Sequence, residues 1–111
     1  MSGKYEETKE PYTPEITKAL VLSTGHITEN DQKILTKGDL WFSHSTERGW
    51  IISGLSPDDE YDKLFFDNEI VRAELSSAFL WCCNNARTNG CSRLELDGDG
   101  PINPVLPVFD W

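Results

Sequence analysis

Residues 94–101, Leu94-Glu95-Leu96-Asp97-Gly98-Asp99-Gly100-Pro101, take a short alternating apolar run into a turn of glycine and proline. This is the pattern of a strand that ends in carboxylates. A matching run lies far upstream, where Ala19-Leu20-Val21-Leu22 leads into Ser23-Thr24-Gly25-His26. Lys18 to Ser23 therefore reads as the first strand, apolar on both faces and so expected at the centre of a sheet, and Ser92 to Leu96 as the last. If the two are neighbours, their ends bring His26, Asp97 and Asp99 into one site.

The chain between them alternates in type. Thr28-Glu29-Asn30-Asp31 has an N-cap followed three residues later by an acid, and Ile34 and Leu35 give a short helix its apolar side before Gly38 stops it. Leu40 to His44 and Trp50 to Ser53 are β-rich runs on either side of Thr46-Glu47-Arg48-Gly49, which predicts a hairpin with Trp41 and Trp50 packed across it. His44 shares an alternating face with Leu40 and Phe42 and reads as structural. A long helix is expected from about Glu69 to Thr88, with Val71, Leu75, Ala78 or Phe79, Cys82 and Ala86 on one side and Asn89-Gly90 as the stop. Pro101, Pro104 and Pro107 force the tail to be extended, and Val105, Leu106, Val108, Phe109 and Trp111 are expected to pack back on the body.

The order strand, helix, hairpin, helix, strand is that of an α+β domain, a βαββαβ two-layer sandwich of the ferredoxin-like split βαβ kind or a variant of it, with an extended C-terminal tail. Residues 1–16, with Pro11, Pro14 and mixed charge but no apolar period, read as a flexible acidic N-terminal arm, and residues 17–111 as one domain. Neither a membrane span nor a signal peptide is visible, which predicts a cytoplasmic protein. The three cysteines are an odd number without metal-ligand spacing, so they read as reduced packing residues, with Cys91 the one kept open as an exposed thiol.

Charge narrows the partners. With 19 acidic against 10 basic residues the chain carries −9, which argues against direct contact with nucleic-acid phosphates and for a basic protein partner. The acids gather in residues 57–69, where Asp58, Asp59, Glu60, Asp62, Asp67 and Glu69 stand against Lys63 alone. They read either as a solvated loop and helix start or as a surface that competes with nucleic acid for a basic groove.

Two enzyme readings of the DGDG turn fail on the sequence. A dehalogenase-type phosphatase needs catalytic segments downstream, and an EF-hand loop needs a glutamate where the prolines sit. A simpler divalent site of Asp97 and Asp99 with His26 or Ser23 remains, weighed against plain turn chemistry with His26 capping the neighbouring loop. No cofactor-binding motif is present, and no Ser/His/Asp or Cys/His order emerges.

The blocks STGHIT at 23–28, GC at 90–91, LELDGDGP at 94–101 and LPVFDW at 106–111 resemble those of a family of small plasmid-related proteins carried on plasmids, prophages and other mobile elements. The acidic arm and the Cys82-Cys83 pair depart from that family. The resemblance implies a mobile-element accessory protein, and with the acidic surface it predicts a non-enzymatic inhibitor or modulator of a host nucleic-acid-handling or defence system, of the anti-CRISPR or anti-restriction type. The alternatives are a small metal-dependent hydrolase or transferase centred on His26, Asp97 and Asp99, and a structural or regulatory homodimer.

Overall fold

The computed structural model describes residues 18–111, so the predicted N-terminal arm lies outside the described residues. Four strands, β1 (Ala19–Ser23), β2 (Ser43–Ser45), β3 (Gly49–Ile52) and β4 (Arg93–Asp97), and three helices, α1 (Glu29–Lys37), α2 (Glu60–Arg72) and α3 (Ser77–Thr88), form a single α+β domain. A single 3-10 turn, Thr24–His26, follows β1. The sheet order is β1-β4-β3-β2, with β1 and β4 parallel and the other pairs antiparallel. The domain is thus a variant of the expected sandwich, because in the split βαβ arrangement a strand separates the parallel pair.

The central position expected for the first strand belongs instead to β4, which pairs with β1 on one side and β3 on the other. β1 is an edge strand. Its apolar residues are not all inward: Leu22 is buried, whereas Ala19 and Val21 face outward and are exposed.

All three helices cover one face of the sheet. Leu22, Trp50, Ile52, Leu94 and Leu96 meet Leu35 of α1, Phe66 and Ile70 of α2, and Phe79, Cys82, Cys83 and Ala86 of α3 in one core. At roughly 1.5–3 kcal/mol for each large apolar side chain buried, this cluster supplies the main drive to fold. On the opposite face the register aligns Val21, Glu95, Ile51 and His44 in one row. His44 is consequently exposed, not a core histidine as its spacing suggested. The hairpin forms, but its first strand begins at Ser43, and Trp41 and Phe42 sit in the preceding turn. Trp41 therefore packs on Phe42, Phe65 and Phe66, not across the hairpin on Trp50, whose cross-strand partner is Ser45.

The helix α1 follows its sequence signals. Thr28 and Asp31 exchange side-chain to backbone hydrogen bonds in a full capping box, and Gly38 ends the helix with a left-handed φ of 76°. The long helix expected over 69–88 is two helices. Glu74 takes a φ of +66°, and Ser76 caps α3 by accepting from the Phe79 N–H. The acidic segment is mostly helix, not loop, and Val71 points to solvent because α2 turns Phe66 and Ile70 to the core.

Candidate functional site

The strands carrying the two polar ends are neighbours, in a register that sets Ser23 beside Asp97. The condition for a shared site is met at the level of the backbone, but the side chains are committed elsewhere. Ser23 Oγ accepts from the Gly25 N–H and so caps the 3-10 turn. That turn sends the His26 ring inward, where it is wholly buried. Its Nδ1–H donates to the Pro107 carbonyl at 2.7 Å, and its Nε2 accepts from the Asn103 N–H at 2.9 Å. A carbonyl only accepts and an amide only donates, so the tautomer is set and both ring nitrogens are occupied.

His26 thus fastens the tail. Two further bonds complete the clasp, from the Phe109 N–H to the Gly25 carbonyl and from the Trp111 indole to the Ile27 carbonyl. The tail does return to the body, as expected, yet mainly through polar bonds. Leu106 packs against the core, while Val105 and Val108 remain in solvent and Trp111 stays about half exposed.

The DGDG turn is held by its own chemistry. Asp97 Oδ1 accepts from the Asp99 N–H at 2.8 Å, and the Gly100 N–H donates to the Asp97 carbonyl. A Cβ on Gly100 would stand 2.7 Å from the Leu22 carbonyl oxygen, so only glycine lets the turn cross the end of β1. Asp99 is exposed and meets Arg48 at 3.4 Å. Among the described residues no three His, Cys, Asp or Glu side chains gather as a metal-binding group. His26 could join Asp97 and Asp99 as a ligand only by surrendering the tail. Magnesium, manganese or calcium is therefore expected to leave the melting temperature unchanged, while Asp97→Ala lowers stability by about 1 kcal/mol through the lost turn bond. A rise of several degrees with any of these ions, abolished by Asp97→Asn with Asp99→Asn, would reverse this assignment.

A buried carboxylate that sequence reading saw only as a capping residue organises the helices. Asp31 is fully buried; its Oδ2 accepts from the Thr28 N–H and the Ser76 hydroxyl, and its Oδ1 from the Ser76 N–H. One side chain thereby joins the first turns of α1 and α3. Close by, burial and the Asp31 charge push the Cys82 thiol up to about 12, and burial also raises that of Cys83. Both stay protonated and inert at neutral pH. Cys91 is buried as well, so the exposed thiol kept open on sequence grounds is absent.

The acidic segment separates into two groups. Asp67 does not belong to a free surface: it binds Arg87 at 2.9 Å, and Arg87 is buried beneath it, donating Nε–H to the Leu55 carbonyl and lying over the Phe66 ring. Glu69 faces Arg72, so Lys63 is not the sole counter-charge. Asp58, Asp59, Glu60 and Asp62 are exposed around the first turn of α2, where Asp59 caps the helix by accepting from the Tyr61 and Asp62 N–H groups and Glu60 pairs with Lys63. Beside them α2 exposes large apolar side chains. Tyr61 is 80% exposed, Leu64 60%, Phe65 53% and Val71 69%. The signal was in the sequence, in apolar residues three and four apart on the side of the helix opposite Phe66 and Ile70.

The same region is what the family comparison recognises: residues 19–111 match the model of the C-terminal domain of a family of unknown function, DUF5983. The chain belongs to the DUF5983 family. No curated protein and no solved structure matches it. The DUF5983 match runs from the first residue of β1 through the tail, so both the His26 clasp and the exposed face of α2 lie within the family domain. Among the described residues, no helix of this DUF5983 domain is long and apolar enough to cross a membrane.

Proposed function

We propose that the chain is a non-enzymatic factor that binds a basic protein in the cytoplasm, a mobile-element-encoded inhibitor or modulator of a host nucleic-acid-handling or defence complex of the anti-CRISPR or anti-restriction type. The observation that supports this reading is the coincidence, on one helix, of exposed carboxylates with exposed large apolar side chains. Soluble domains seldom leave such a patch uncovered unless it meets another molecule. A net charge of −9 repels phosphate backbones and attracts basic surfaces. The resemblance of the STGHIT, LELDGDGP and LPVFDW blocks to plasmid-related proteins supports the mobile-element part of this reading.

Asp58→Lys with Asp62→Lys tests the reading while sparing the Asp59 cap. Affinity capture from a host extract at low salt should retain a basic protein on the wild type and lose most of it on the variant, with melting unchanged, since charges at an interface rim chiefly set encounter. Capture of the same proteins by both forms, or of none that is basic, sinks the proposal.

A further inference from the structure

We infer that the outward face of α2 is a docking groove for an amphipathic helix with lysine and arginine along its flanks, an assignment that rests on the reading of the chain as a binder of basic protein and gives the partner a shape. Tyr61, Leu64 and Phe65 stand at helical spacing on the side of α2 turned away from the core, with Asn68 and Val71 continuing the line. The face is relieved, not flat. Phe65 lines one hollow of about 170 Å³ with Tyr61 and Leu64, and a second of about 280 Å³ with Trp41, Gly54 and Asp62. Trp41 is held as a wall of the second hollow, its ring 6.3 Å from Phe65 and 6.2 Å from Phe66. Alternating hollows beside exposed aromatic rings suit a helix that presents apolar side chains at i, i+3 or i+4, and i+7.

Charge decides the occupant. Around the first turn of α2 stand four exposed carboxylates, Asp58, Asp59, Glu60 and Asp62, with Lys63 as counter-charge to Glu60, whereas Asp67 and Glu69 are paired with Arg87 and Arg72. A second copy would set this excess against itself. Cationic flanks on the incoming helix would meet Asp58 and Asp62 at the end of the groove, where both acids are exposed and, unlike Glu60, not engaged by Lys63.

A displayed library of helical peptides with a fixed apolar face and flanks of Lys/Arg, Gln or Glu, selected on the full chain, provides the test. Leu64→Ser with Phe65→Ser serves as the counter-selection, and Val71→Glu as a second variant should the double change fail to fold. Basic-flanked peptides should be enriched, lose at least ten-fold in affinity against the groove variants, and weaken several-fold against Asp58→Lys with Asp62→Lys. No enrichment over the counter-selection overturns the inference, as does a preference for Gln or Glu flanks. Basic peptides that ignore the groove variants yet respond to the charge reversal overturn the groove and leave the basic-partner reading standing. Sedimentation showing a wild-type dimer that Phe65→Ser dissolves would give the face to a second copy instead.

Discussion

Asp31→Ala is expected to lower stability by about 3–5 kcal/mol, since it strands three part-buried donors at the first turns of two helices and each one left unsatisfied costs on the order of 1–3 kcal/mol. For a domain of this size such a loss corresponds to a fall in melting temperature on the order of 15–20 °C. The Thr28 and Ser76 N–H groups have no other acceptor once the carboxylate goes, and Ser76 loses the partner that orients its hydroxyl over the Phe79 N–H. Asp31→Asn keeps one acceptor oxygen and should lose about half as much. Ser76→Ala combined with Asp31→Ala should cost clearly less than the two changes separately, because both dismantle one network. A shift of only a few degrees for Asp31→Ala in a thermal melt would mean that α1 and α3 are held together by packing alone.

The second large effect is expected from the tail. Removing residues 105–111 takes the Pro107 carbonyl from His26, the Phe109 bond from Gly25 and the indole bond from Ile27, and uncovers Leu106's place on the core. Destabilisation of about 2–4 kcal/mol follows from the unpaired imidazole and one lost apolar contact. His26→Ala in the full chain should reproduce most of it, since it frees the tail at Asn103 and Pro107 together. Equal melting temperatures for the truncated and full chains would show that the clasp contributes nothing to stability.

Local signals were legible wherever the chain itself supplied both partners. The Thr28–Asp31 capping box, the Gly38 stop and the Asp97 turn join residues two or three positions apart, so a short window of sequence holds each of them whole. The position of β1 at the sheet edge was not, because an apolar strand looks the same whether its outer side meets another strand or solvent. The break at Glu74 escaped since no glycine or proline marks it and the apolar period runs across it; Ser76 was the one available cue. His26 was singled out for the chemistry of its side chain, whereas its partners are backbone groups 77 and 81 residues away that no side-chain pattern announces. Asp67 looked like surface because its counter-ion, Arg87, lies on another helix.

The placement of β4 between β1 and β3 bears on how the protein is made. Ala19 pairs with Arg93, and Ile52 with Leu94, so the first three strands have no completed sheet to join until residues 93–97 have left the ribosome. Without β4, β1 and the β2–β3 hairpin are separate pieces, with the ladder groups that face β4 unpaired and Leu22, Trp50 and Ile52 less covered. Chains that stop short of residue 93 thus lack the strand that joins the other two pieces and are expected to aggregate instead of folding.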